Sequence, residues 1–282
     1  MTPLLLDIFE SMHLHQQLDI FLAAGSLLLC ILLTVGGALR HYILRRDILP
    51  PVPLFPSSTF PNKLDTCFIF LFLTAFTLVS MLPSFFPEHT LDNTQFHFSS
   101  LLTEVLIFLP IILRYMWLPA RTPNKRSSFG VTTLSILLAV FCMSIINGIY
   151  ESSGLFQLIC QNTGSPEFQD PVVIMNKGSL SSKIFIIITA VIVAPVAEEC
   201  CFRGFLYNIL KKYTGRVAAV LSSSLLFAAV HMSLGHTPLL FLLAITFCIL
   251  YEYTQTLRTP IIAHMVFNLI AVIASLLLGI DA

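Results

Sequence analysis

Hydropathy along this chain comes in blocks. Apolar runs cover Leu18 to Leu39, Leu64 to Leu82, Leu101 to Leu118, Phe129 to Tyr150, Ile184 to Leu210, Val217 to Met232, Leu239 to Leu257 and Thr259 to Gly279. Each approaches or exceeds the ~20 residues a helix needs to cross the hydrocarbon core of a bilayer. In lipid the backbone must satisfy its own N–H and C=O groups, so runs of this kind are helices. The blocks therefore predict an all-α fold, a polytopic transmembrane helical bundle of about eight spans. Residue usage agrees, with 56% of the 282 residues hydrophobic and 11% charged, a balance far from that of a soluble domain. The formal net charge is zero, and nothing points to nucleic acid.

Strict alternation of eight spans puts Arg40, Arg45, Arg46, Lys63, Arg121, Lys125, Arg126, Lys211, Lys212, Arg216 and Arg258 on one side, and only Lys177 and Lys183 on the other. By the positive-inside rule the crowded side is cytoplasmic, which places both termini outside the cytoplasm. The first run is too long for a signal-peptide core and has no basic region before it, so it is expected to be a retained span. Five prolines between His41 and Lys63 (Pro50, Pro51, Pro53, Pro56 and Pro61) predict a stiff extended connector. The outer segment from Glu151 to Ser182 is expected to hold a short interfacial helix or a lid. All seven cysteines but Cys160 lie in apolar runs, where they read as small hydrophobes, and no disulfide framework follows.

The chain changes character near residue 183. Residues 1–182 form an N-terminal transmembrane region of about four spans with an outer loop. Residues 183–282 form a core of about four spans that carries nearly all the polar residues at depth. Each ionisable group in a membrane helix costs about 2.5 to 3.5 kcal/mol on insertion scales, so each needs a partner or a purpose. The fifth run holds Glu198, Glu199 and Arg203; the sixth ends in His231; the eighth holds His264 and Asn268. Glu199 and Arg203 are four apart and can form an internal ion pair, while Glu198 is turned about 100° away and can face a different cavity. His264 and Asn268 share a helix face, as do Phe227 and His231. At ~1.5 Å per residue, Glu198, His264 and Asn268 come within a few ångströms of one level, with His231 somewhat higher. Pro195 is expected to kink the fifth helix beside Glu198. Glu104, Arg114, Glu252 and His236 read as structural or solvated.

Three protease chemistries fail on motif. No H-E-x-x-H run exists for zinc, Ser222, Ser223 and Ser224 lack nucleophile-elbow glycines and stand two turns or more from His231, and no aspartate lies mid-span. Water activated directly remains. A partly desolvated Glu198 suits a general base, with His231 orienting the water. His264 and Asn268 are donors suited to the oxyanion that forms when water adds to a peptide carbonyl.

At these residues the sequence resembles the CPBP family, the CAAX-type prenyl proteases and the Abi or bacteriocin-processing proteins. Three motifs carry the resemblance in order: Glu198, Glu199, Phe202, Arg203 and Gly204; Phe227 with His231; His264 with Asn268. The approach to the last motif, through Glu252, Thr254, Pro260, Ile261 and Ala263, is similar too, and the likeness covers about residues 183 to 279. It implies an intramembrane endopeptidase in which Glu198 is the base, His231 shares the water and His264 with Asn268 forms the oxyanion site; Glu199, Arg203 and Phe227 support them. The implied partner is a membrane-embedded or lipidated peptide or protein held in the lipid bilayer. Ala228 and Gln255 stand where glycine is frequent in the family. No cofactor is favoured; the alternative is Zn on Glu198, His231 and His264, against which Asn268 is an uncommon zinc ligand. Two other classes stay open, a non-catalytic membrane immunity or partner protein and a proton-coupled carrier using Glu198 and Glu199.

Overall fold

The computed structural model describes residues 13–44, 63–81, 109, 129–167 and 179–278. Among these residues the chain is helical with no strand. The helices are α1 (Leu14–Leu44), α2 (Lys63–Met81), α3 (Phe129–Ser152), α4 (Leu155–Thr163), α5 (180–214), α6 (Arg216–Ala229), α7 (Thr237–Thr254) and α8 (Arg258–Leu278). By length and composition, five are long and apolar enough to cross a membrane, and apolar stretches of α2 and α6 are shorter. Seven of the eight expected spans thus have a helix. The remaining one, 101–118, lies but for Leu109 outside the described residues, as do Glu104, Arg114 and the proline connector.

α1 explains why such a chain stays in lipid. Its inward face carries Ala23, Ser26, Leu27, Cys30 and Thr34, all buried, and its outward face exposes Phe21, Leu28, Leu32, Val35 and Leu39. A soluble helix would point the large apolar stripe inward. Here small residues face the protein, because in lipid helices gain by close backbone approach rather than by hiding leucines. The closest approach is at Gly37, where a Cβ would lie 2.5 Å from the Tyr213 carbonyl oxygen. That contact docks the end of α1 on the end of α5.

The centre of the bundle is the lower half of α5, where residues 200–210 are all buried. α1, α2, α6 and α7 surround it, and their buried residues form one cluster that includes Leu27, Ile69, Leu73, Leu226 and Tyr251. A second cluster joins α3 to α7 and α8 through Met143, Leu243, Phe247 and Ala263. In α6, Ser222 and Ser223 bond back to the Ala218 and Ala219 carbonyls. Their hydroxyls are thereby satisfied within their own helix.

α5 is not a plain helix. Two stretches, Thr189–Val193 and Cys200–Leu206, widen to π-helical bonding, on either side of the α-helical turns Ala194–Glu199. The expected kink at Pro195 takes this form: Ala194 N–H reaches back five residues to the Thr189 carbonyl, and Pro195 has no N–H to offer Ala190.

At the basic end of the bundle Glu252 accepts from Lys211 Nζ and, at 3.1 Å, from Arg216 Nε. These are structural ties, where the position near the span end predicts a carboxylate that reaches water. Between Glu151 and Ser182 the short helix α4 is present, with Leu155 and Leu158 exposed.

Two of the three glycines of α1 give opposite tests. Gly37→Ala forces α1 away from Tyr213 and is expected to cost about 1–3 kcal/mol. Gly25→Ala, with nothing within 4 Å, is expected to be neutral or stabilising by up to about 1 kcal/mol. Thermal unfolding midpoints of the detergent-solubilised variants check both.

Candidate active site

Two helices, α5 and α8, and the turn after α6 carry the expected polar residues. Glu199, wholly buried, accepts at a single oxygen, Oε1, from Arg203 Nη1 at 2.7 Å and from His264 Nδ1 at 3.2 Å. The ion pair read from the four-residue spacing is therefore present, and it has an unforeseen third member. Glu198 stands at the other nitrogen of the same ring, its Oε2 3.9 Å from His264 Nε2. The imidazole of His264 lies between two carboxylates, Glu199 fixing its orientation and Glu198 facing its reactive edge.

Arg203 is 1% exposed, and an unpaired cation there would be untenable. Its other terminal nitrogen, Nη2, donates to the Ala244 carbonyl of α7 at 3.0 Å. Its guanidinium lies 4.6 Å from the Phe227 ring centroid and 5.2 Å from that of Phe247. Cation–π contacts of this kind are worth about 2 kcal/mol when desolvated. Phe227 is the hub of the aromatic packing, with ring centroids 5.1 Å from Phe202, 4.8 Å from His231 and 6.0 Å from His264. Phe247 lies 4.7 Å from His264 on the other side.

His231 differs from the expected helical placement. α6 ends at Ala229, and His231 sits on the turn beyond it. The four-residue relation to Phe227 nevertheless survives, because Nδ1 lies 2.7 Å from the Phe227 carbonyl oxygen. With Nδ1 donating there, Nε2 is the ring nitrogen that this contact does not use. Asn268 is one turn beyond His264 on α8, and its Nδ2 donates to the Ala190 carbonyl of α5 at 2.7 Å. This is the carbonyl that the π register and Pro195 leave without a backbone donor. A primary amide nitrogen carries two N–H groups, so this bond leaves a second.

The structure thus gathers Glu198, Glu199, Arg203, Phe227 and His264 directly, joins His231 through Phe227, and sets Asn268 on the adjoining turn. Several participants escaped sequence reading. Phe247 and Ala244 lie in a uniformly apolar run and gave no signal. Asn208 did offer one, as a polar residue in a buried helix five after Arg203; its Nδ2 donates to the Arg203 and Gly204 carbonyls, both at 2.8 Å. His236, expected to be solvated, instead packs 5.0 Å from the Phe156 ring with Nδ1 2.9 Å from Ser233 Oγ. Burial pushes its imidazole below the ordinary value, and neighbouring His231 adds to the shift.

As placed, no three His, Cys, Asp or Glu side chains among the described residues form a metal-ligand group. Nδ1 of His264 is engaged by Glu199, and His231 turns one nitrogen to a backbone carbonyl. Those contacts leave Nε2 of both rings, as in a metal-bound histidine whose other nitrogen is held by an acceptor, so they do not decide against the alternative zinc set of Glu198, His231 and His264; no chemical step is routed through a metal below.

The stretch that supplies these residues, 180–270, matches the family model of the type II CAAX prenyl endopeptidases, Rce1-like. The chain is also 28% identical over 171 residues to a Bacillus subtilis (strain 168) protein named "Putative membrane peptidase YdiL", an alignment covering 61% of this chain and 68% of the relative. It is 32% identical over 143 residues to the membrane-embedded CAAX protease MroQ of Staphylococcus aureus (strain USA300), covering 49% of this chain and 56% of MroQ. The match thus spans a little over half the length of MroQ. No solved structure matches. The likeness to CAAX-type membrane proteases drawn from the three motifs is upheld, and these are hydrolases. With five long apolar helices, the chain is an integral, multi-pass membrane protein.

Loss of one partner from a buried ion pair strands the other charge. Arg203→Leu is expected to destabilise by about 3–5 kcal/mol. Arg203→Lys should recover only part, since one ammonium cannot replace the planar fork that reaches both Glu199 and Ala244. Thermal unfolding of the two variants in one detergent measures the difference.

Proposed function

We propose that the chain is an intramembrane endopeptidase of the CAAX/Abi type that cleaves a membrane-anchored or lipidated peptide with a directly activated water. The observation that carries this reading is the pair of adjacent glutamates on either side of one buried imidazole. A purely structural ion pair needs one carboxylate for Arg203, and Glu199 fills that role. Glu198, 15% exposed at its side chain, faces the other edge of a histidine that Glu199 holds in place.

Glu198 takes a proton from water, His231 orients that water, and the oxygen adds to the scissile carbonyl carbon. The negative charge that develops on the carbonyl oxygen is met by His264 Nε2 and the second amide N–H of Asn268. For Nε2 to donate while Nδ1 donates to Glu199, the ring carries both protons. Glu199 and the oxyanion itself supply the counter-charge, since Glu198 is neutral while it holds the proton from water. Collapse of the intermediate breaks the C–N bond, and the proton held by Glu198 passes to the leaving amine. The basic end of the bundle, with Arg40, Lys211, Arg216 and Arg258, is the cytoplasmic end on this reading, and both termini lie outside.

Reconstituted in liposomes with a panel of lipidated and unlipidated membrane peptides, the chain is expected to cut at least one. Glu198→Gln and His264→Ala should each lower kcat by about 10²-fold or more. A chelator should leave the rate unchanged. Equal rates in the wild type and both variants would remove the enzyme and leave a partner protein, and proton flux dependent on Glu198 without cleavage would favour a carrier. Loss of activity on chelation, restored by zinc, would overturn the metal-free step.

A further inference from the structure

The turn after α6 carries a strain that something must hold. Met232, next to His231, has φ +49°, a left-handed conformation that costs a non-glycine residue roughly 1 kcal/mol. Such a residue keeps its conformation only where its surroundings over-determine it. Within the turn, Ser233 is the internal anchor. Its carbonyl accepts from His236 N–H at 3.0 Å and from the Thr237 hydroxyl at 3.0 Å.

The external anchor is the Gly235 peptide, which is gripped from two sides by residues of the segment before α5. Tyr150, near the end of α3, donates its hydroxyl to the Gly235 carbonyl at 2.6 Å. Gly235 N–H donates to the hydroxyl of buried Ser165, just past the end of α4, at 3.3 Å. There is no slack at this point, since a Cβ on Gly235 would lie 2.8 Å from Cys160 Sγ and 3.1 Å from the Phe156 ring, both on α4. The left-handed Gly154 and Gly164 at the two ends of α4 turn the chain so that α4 lies against this peptide.

We propose that Tyr150 and Ser165 are positioning residues for His231, fixing through the Gly235 peptide where the turn presents that imidazole. This rests on the reading of His231 as part of the active site. Both residues fall outside the matched stretch 180–270, so the segment before it supplies more than span and solubility. It holds one of the site's two histidines in register. Released from either hydroxyl, the turn relaxes at Met232, and His231 swings away from the level of Glu198.

The test uses the full chain in liposomes, with kcat, KM and thermal midpoint measured together. Tyr150→Phe removes one hydroxyl and is expected to lower kcat about tenfold, the worth of a hydrogen bond of somewhat over 1 kcal/mol. KM and the thermal midpoint should stay unchanged. Ser165→Ala should lose several-fold in kcat, and Ser165→Thr, which keeps a hydroxyl, should recover it. Full kcat for Tyr150→Phe beside an inactive His231→Ala overturns the positioning role alone. A fall in kcat that tracks a fall in thermal midpoint overturns it as well, leaving a general packing role. A wild-type chain that cuts no peptide overturns the peptidase reading and this inference with it.

Discussion

A carboxylate with no exposed surface inside a membrane bundle persists only if the protein answers its charge in full, and Glu199 sets that requirement here. Arg203 answers it through one terminal nitrogen and uses the other on a backbone carbonyl of α7, while Phe227 of α6 and Phe247 of α7 stack on its guanidinium. The same carboxylate oxygen takes the ring N–H of His264 from α8. Four helices are thereby tied to one oxygen and its partner. In a medium where apolar packing gives little preference between lipid and protein, such a polar knot specifies which helices meet and at what level. The knot also orients His264, so the group that stabilises the core sets the geometry of the site.

The widened turns of α5 follow the same logic. Returning from five-residue to four-residue hydrogen bonding passes over a carbonyl, and in lipid no water waits to satisfy it. An amide side chain does so in each case: Asn268 for Ala190, and Asn208 for Arg203. Asn268 therefore stitches α8 to α5 beside the site, whatever its second N–H does there. Glu198 and Glu199 occupy the ordinary helical turns between the two widenings, which is how adjacent residues on one helix come to address opposite edges of a single ring.

Much of this was legible in the residues. Long apolar runs foretold the helices because lipid permits little else, and the four-residue spacing of Glu199 and Arg203 foretold their bond because helix geometry is local. The identity of the polar residues at depth pointed to the site because ionisable groups there are costly. What was not legible depends on register and on distant contacts. Nothing in TAVIV or CCFRGFL announces a π turn, and an apolar seventh run does not reveal that the Ala244 carbonyl and Phe247 complete the arginine's cage. His231 was read as helical because hydrophobicity continues past Ala229, whereas the helix ends there and the turn beyond it runs through a left-handed Met232. The grip of Tyr150 and Ser165 on Gly235 joins positions 70 to 85 residues apart, and spacing along a chain carries no signal at that range.

The claim on which the rest depends is that Glu199 holds His264 through the ring's Nδ1 proton. The ¹⁵N spectrum of ring-labelled His264 in the bilayer tests it most directly. Nδ1 should appear protonated and hydrogen-bonded in the wild type, and that signature should be lost in Glu199→Leu. An Nδ1 found without its proton in the wild type, or one indifferent to the loss of Glu199, would contradict the arrangement.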